Sequence, residues 1–403
     1  MITTAPRRAA GVFLVFLRLG LTSFGGPIAH LGYFREEFVA RRRWLGDRDY
    51  AELVALCQFL PGPASSQVGF AIGWQRAGLL GALAAFLGFT LPSAVLLVAI
   101  GLGAAFLDSP IASAVIGGLM VVAVAIVAQA VIGMSRTLTP DPTRVAIAVA
   151  AALVVLFAVG SVWQVAAIAG GAFLGLWLCR RDDGVLESIP AFPIRRRTGW
   201  IALGVFAVLI VGLPVAVALG ASSPVVVFDA FYRSGSLVFG GGHVVLPLLE
   251  TEVVGRGWVT PDAFLAGYGA AQAMPGPLFT FAGYLGAVLQ VAPSGIAGAA
   301  LALAGIFLPG FLLLVAILPF WDSIRSRRGV RAAMRGANAA VVGILAAALY
   351  TPVFTSAIIG IPQFALGLIC FALLVGMRWP SWAVVLVGAA GGIAVAALTG
   401  ALT

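Results

Sequence analysis

The chain repeats itself, and that constrains its fold more than any other feature. The segment FLRLGLTSFGG, Phe16 to Gly26, returns as FYRSGSLVFGG, Phe231 to Gly241, at an offset of 215 positions, so that Arg18 falls on Arg233, Gly20 on Gly235 and Phe24 on Phe239. Trp44 then pairs with Trp258, Gln58 with Gln272 and Pro61-Gly62-Pro63 with Pro275-Gly276-Pro277, all at 214, and Leu91-Pro92 with Leu308-Pro309 at 217. A tandem duplication with small insertions predicts two like halves. Residues 1–180 form the first repeat and 221–403 the second. Between them, 181–220 supply an Arg-rich linker and one connecting transmembrane helix.

Composition says where such halves reside. Of 403 residues, 61% are hydrophobic and 10% charged, against about a quarter charged in soluble domains. A water-soluble globule is excluded, and apolar runs of about 20 residues between Arg-bearing loops predict an all-α polytopic membrane protein. The 51 glycines and 22 prolines sit largely inside apolar runs, where they mark close helix packing and deliberate breaks rather than disorder. All 24 basic residues are arginine, giving a formal charge of +9. They cluster in short loops, the positive-inside pattern, and leave no basic soluble domain for nucleic acid. Cys57, Cys179 and Cys370 are isolated and read as buried apolar residues, with no metal spacing and no cofactor implied. Arg18 interrupts the first apolar run and no small-residue cleavage site follows, so the amino terminus is expected to be retained.

Arginine counts orient the repeats. The loop from Arg35 to Arg48 holds five arginines and its counterpart after Glu250 only Arg256, whereas the turn near Asp108 has none and its counterpart carries Arg325, Arg327, Arg328, Arg331 and Arg335. Equivalent loops therefore lie on opposite sides, which is an inverted repeat. Four segments carry breaks: 11–34 and 226–249 at glycine clusters, 50–75 and 263–286 at the Pro-Gly-Pro triplets. Read as re-entrant hairpins they leave nine full spans, with the N-terminus cytoplasmic and the C-terminus outside. A rival threading makes all thirteen segments span, which puts the loop after residue 34 outside. Charge favours the first.

Each break frees backbone amides, and the half-helix after it aims its positive dipole end inward, which makes an anion cradle. Gly25, Gly26, Gly240 and Gly241 expose amides beside one pair of breaks, and Pro61, Gly62, Pro63, Pro275, Gly276 and Pro277 form the other. Gln58, Gln272, Ser65, Ser66, Gln67 and Thr280 supply further hydrogen bonds. Packing kinks that merely shape the bundle are the plainer explanation for one such motif; four in symmetric positions favour a site. Arg18 and Arg233 are charges inside apolar segments, suited to an oxyanion or, more blandly, to snorkelling or an acid on another helix. His30 and His243 are candidates for carrying a coupling proton, against the commoner structural role. Enzyme signatures are missing: there is no HExxH, no nucleophile elbow and, with no lysine in the chain, no Walker lysine.

At LTSFGGPIAHLGYFREEFVARRRWL, ALCQFLPGPASSQVG and GFTLPS in the first half, and SLVFGGGHVVLPLLE, GWV and FLAGYGAAQAMPGPLFTFAGYLGA in the second, the chain resembles the chromate ion transporter family in its long, two-repeat form. The resemblance implies a prokaryotic inner-membrane carrier that exports chromate, is driven by the proton gradient or membrane potential, confers chromate resistance and meets sulfate as a competing dianion. It also implies functional roles for Arg18, Gly25, Gly26, Gln58, the first Pro-Gly-Pro triplet, Arg233, Gly240, Gly241, His243, Gln272 and the second triplet. A general sulfate-type oxyanion transporter and an anion channel are the alternatives. The expected partners are the transported anion and the lipid bilayer, with a homodimer allowed for.

Overall fold

The structure, a computed structural model, describes residues 5–24, 26–104, 110–158, 161–180, 194–238, 244–321, 323 and 327–398. Among these every regular element is helical. The first half opens with α1 (Ala5–Thr22) and α2 (Gly26–Arg35), the latter running on into a π-helical turn, Glu36–Arg41. Then come α3 (Asp47–Phe59) and α4 (Ala64–Ala104), which Ala77 and a left-handed Gly78 divide into two arms. The half closes with α5 (Pro110–Leu138), α6 (Pro142–Phe157) and α7 (Ser161–Leu178). Asp141 caps α6 by accepting from the Arg144 amide at 2.9 Å, and Pro142 begins the helix where no donor is needed.

After α8 (Arg196–Ala218), the same order recurs. The second half runs α9 (Ser223–Ser236), α10 (Val245–Leu249) with a π-helical turn Glu250–Val254, α11 (Pro261–Ala273) and α12 (Phe281–Val288). It ends with α13 (Gly295–Ile317), α14 (Arg328–Ala348), α15 (Ile361–Phe371) and α16 (Ser381–Leu398).

All four broken segments fold back on themselves. Residues 18 apart on an unbroken helix would stand about 27 Å apart, yet the Phe16 and Phe34 rings lie 5.6 Å apart across the α1–α2 break. Arg233 reaches Glu252 at 3.0 Å across the equivalent α9–α10 break. In the second pair, 32 residues would span about 48 Å if straight. Instead the Arg76 guanidinium lies 4.7 Å from the Trp44 ring, and the Gln290 amide donates to the Trp258 carbonyl at 2.9 Å. The Pro-Gly-Pro triplets are thus hairpin tips, and Ser23 and Val238 stand where the other two hairpins turn.

Among the described residues nine helices remain: the second arm of α4, then α5, α6, α7, α8, α13, α14, α15 and α16. Six described helices are long and apolar enough to cross a bilayer, Ala64–Gly103, Pro110–Leu138, Arg196–Ala218, Gly295–Phe320, Arg328–Ala357 and Ser381–Leu398; α6, α7 and α15 are shorter apolar helices. The chain is a multi-pass membrane protein. Among the described residues each half holds two hairpins and four of these helices, an even number that returns the chain to its starting side. The unmatched α8 is what allows the second half to be turned over.

The inversion is visible in the contacts. The second arm of α4 and α13 carry the matching Leu-Pro pairs, yet they run antiparallel: Phe86 packs on Phe307 and Phe311 at 5.0 Å each, while Leu102 at the far end meets Gly295. The halves also exchange helices. In the first half α5 packs against α15 and α16 of the second, and α14 of the second against α6 and α7 of the first. Both contacts close on glycine, Gly118 with Gly388 and Gly392, and Gly336 with Gly171 and Gly175. A methyl group on Gly118 would sit 2.1 Å from the Gly388 carbonyl, and one on Gly336 2.0 Å from that of Gly171. With no hydrophobic drive between helices in lipid, such close backbone approach is what holds them.

Candidate functional site

The hairpin tips of the two halves meet, and they meet crosswise. The Gly62 amide donates to the Val238 carbonyl at 2.7 Å, and the Gly276 amide donates to the Ser23 carbonyl at 2.9 Å. Ser23 and Val238 are equivalent positions, as are Gly62 and Gly276. Each Pro-Gly-Pro tip therefore holds the glycine-cluster tip of the other half. Both glycines have left-handed backbones, φ +117° at Gly62 and +98° at Gly276, which a side chain would strain. Space excludes one as well. A methyl group would come within 2.9 Å of the Gly310 Cα and 2.8 Å of the Ser93 Oγ respectively.

Polar side chains gather behind this crossing. Gln67 is fully buried, and its Nε2 donates to the carbonyls of Pro61 and Gly310, 2.9 Å each. Its Oε1, Ser66 Oγ, Ser23 Oγ, Thr90 Oγ1, Gln272 Nε2 and His30 Nε2 are buried with no hydrogen-bond partner. Buried polar groups are normally satisfied, and each orphan costs about 1–3 kcal/mol. His30 approaches Ser65 through Nδ1 at 3.5 Å and stands edge-on to Phe89. Thr280 is buried and bonds back to the Pro277 carbonyl at 2.6 Å. Gln272 offers its backbone carbonyl to the Ser381 hydroxyl at 3.2 Å. Beside it, Trp382 packs on Phe24, 6.3 Å between rings, at the first tip.

The structure thus brings together Pro61, Gly62, Pro63, Ser65, Ser66, Gln67, Gln272, Pro275, Gly276, Pro277, Thr280 and His30. Gly26 starts α2 with φ +79° and open space around it. Gln58, on the last turn of α3, is exposed where its counterpart Gln272 is buried. Gly25, Gly240, Gly241 and His243 lie outside the described residues. Sequence reasoning passed over Ser23, Thr90, Ser93, Gly310, Ser381 and Trp382. The duplicated Leu-Pro pairs immediately before Ser93 and Gly310 carried a signal for those two; Ser381 and Trp382 reach the tips only through tertiary packing.

The paired arginines differ. Arg233 binds Asp229 at 2.9 Å and Glu252 at 3.0 Å, both carboxylates being buried, and Glu252 also takes Arg256 at 2.8 Å. In the first half Glu37, the equivalent of Glu252, is held by Arg41 and Arg42 at 2.9 and 2.6 Å. Arg42 is an inserted residue with no counterpart, and Leu14 stands where Asp229 would be. Arg18 is consequently exposed on α1 with no side-chain partner among the described residues. At the mouth of this half Arg35 grips Asp47 through two contacts of 2.8 Å, and the guanidinium holds that carboxyl below its usual range. No cluster of three His, Cys, Asp or Glu side chains suited to a metal occurs among the described residues.

Comparison with known proteins gives a consistent result. A family model described as Chromate transporter matches residues 10–176 and 225–393, one block in each half. A chromate transport protein of Pseudomonas aeruginosa is 29% identical over 356 residues, covering 85% of this chain and 80% of its own. A probable chromate transport protein of Synechococcus elongatus is 28% identical over 94% of this chain and 93% of its own, and a chromate transport protein of Cupriavidus metallidurans 27% identical over 94% and 90%. No solved structure matches the chain.

Proposed function

As a member of the chromate transporter family, this chain is a membrane transporter, and we propose that it exports chromate by alternating access at an oxyanion site enclosed by its four hairpin tips. The observation that carries the reading is the crossed pair of tip bonds, Gly62 to Val238 and Gly276 to Ser23, with unsatisfied buried polar groups behind it. Hydroxyls and amide nitrogen at Ser23, Ser66, Thr90 and Gln272 supply donors that a tetrahedral dianion and its water satisfy. Having no fixed cation among them, they release it again. Because the halves are inverted, exchanging their conformations exposes one central site to each side in turn. The unequal exposure of Gln58 and Gln272 fits one such end state.

Arg18 is the guanidinium left for the passing anion, whereas Arg233 is committed to Asp229 and Glu252. His30, buried beside Ser65 with Nε2 unpartnered, is the candidate proton carrier. An inside-negative potential assists expulsion by about 2.3 kcal/mol per charge per 100 mV, so coupling to potential or to protons is energetically sufficient. The positive-inside rule places the N-terminus in the cytoplasm of a prokaryotic inner membrane and the C-terminus outside. Every arginine except Arg18, Arg233 and Arg256 then falls on the cytoplasmic side.

The test is labelled chromate flux into and out of proteoliposomes under an imposed pH gradient or potential, with sulfate as competitor. Saturable flux that follows the gradient and resists sulfate is expected. Equal inhibition by sulfate would instead mark a general oxyanion carrier, and flux that neither saturates nor follows a gradient would mark a channel.

A further inference from the structure

A second basic feature lies away from the hairpin tips. A cavity of about 230 Å³ opens where three separated stretches of the first half converge: the start of α1, the loop before α3, and the end of the first arm of α4. It is lined by Arg7, Arg8, Arg42, Arg76 and Trp44 over an apolar floor of Gly11 and Val12, with no carboxylate in the lining. Trp44 stacks under Arg76 at 4.7 Å and Arg42 at 5.6 Å. Outside the lining, Arg42 binds Glu37, a carboxylate it shares with Arg41.

The duplication supplies an internal control. The second half keeps the tryptophan as Trp258 but has Ser222, Ser223 and Gln290 where the first has Arg7, Arg8 and Arg76, and it lacks Arg42 altogether. The same backbone frame thus stands with and without its arginines. A preference for basic residues on one membrane face accounts for their number but not for their convergence on one concave wall. Four guanidinium groups converge on one cavity, with Arg42 also bound to Glu37 outside it; their converging positive charge attracts an anion, and the planar fork of each matches phosphate oxygens.

We propose that this cavity binds the phosphate of an anionic phospholipid. The choice of a lipid over free phosphate rests on what adjoins the cavity. One turn beyond Gly11, Leu14 is 64% exposed, an apolar surface beside the cavity against which an acyl chain can lie. Trp44 beside the arginines suits the headgroup level, where tryptophan concentrates. Basic pockets between helices on the cytoplasmic side hold acidic headgroups for the same electrostatic reason. This reading depends on the membrane fold and not on which anion the hairpin tips carry.

The test uses the purified full chain in neutral detergent, as wild type and as the Arg8→Gln/Arg76→Gln double variant. Thermal melting is followed with added phosphatidylglycerol, phosphatidylcholine or inorganic phosphate, and native mass spectrometry reads retained lipid. The wild type is expected to retain phosphatidylglycerol and to melt higher with it but not with phosphatidylcholine. The double variant, melting normally without lipid, should bind it about 30-fold more weakly, the loss of two basic contacts at about 1 kcal/mol each. An equal response in wild type and variant would overturn the proposal. So would a rise produced by inorganic phosphate alone with no preference between the two lipids, which would make the cavity a site for a free oxyanion.

Discussion

Arg18 and Arg233 occupy equivalent places in the sequence and opposite situations in the structure. One inserted residue, Arg42, binds Glu37, whose counterpart Glu252 binds Arg233 in the other half, and Leu14 in place of Asp229 removes the other partner. The two substitutions to alanine should therefore fail differently. Arg233→Ala strands Asp229 beneath the surface and should lower the melting temperature in detergent, toward the lower end of the roughly 3–5 kcal/mol for breaking a buried pair, since Glu252 keeps Arg256. Arg18→Ala should melt as the wild type does and lose anion flux; flux at wild-type level would remove Arg18 from the mechanism. Backbone conformation gives a second contrast. Gly276→Ala meets both left-handed strain of about 1–3 kcal/mol and the Ser93 hydroxyl. Gly26→Ala meets strain alone, so Gly276→Ala should be the more damaging in both melting and flux.

Among the elements, the hairpins turn a local break into a global arrangement. Proline and glycine at 61–63 and 275–277 show that the helix stops there, but a stopped helix can resume in line or turn back. The direction is set by what the returning arm finds. Tyr284 donates to the Ala263 carbonyl at 3.0 Å and its ring fills the place of a side chain at Gly267, while Phe281 packs edge-on to Phe264 at 5.2 Å. Spin labels on Trp258→Cys and Gln290→Cys should report a separation under about 20 Å, against about 48 Å for a straight segment. A long distance would restore the threading in which every segment spans.

At the scale of the whole molecule, the halves interlock rather than sit side by side, since α15 and α16 of the second half pack on the first and α6 and α7 of the first on the second. Their glycine contacts are as close as backbone permits, so Gly118→Leu should sharply lower melting temperature and yield. Neighbouring Gly117, with nothing within 4 Å of its would-be side chain, should accept leucine with little change. Equal tolerance at both positions would mean that the interlocked packing contributes little. By itself the sequence determined the membrane class, the duplication, its inversion and the positions of the four breaks, because hydropathy, arginine bias and helix-breaking residues act locally and are written in order along the chain. Only the tertiary structure decided that Gly62 answers Val238 and Gly276 answers Ser23, that Ser381 and Trp382 join the tips, and that one of two matching arginines is spent on carboxylates. Those pairings depend on which backbone faces which across more than a hundred residues, and one inserted arginine together with leucine at position 14, where the second half has Asp229, changed the outcome in one half.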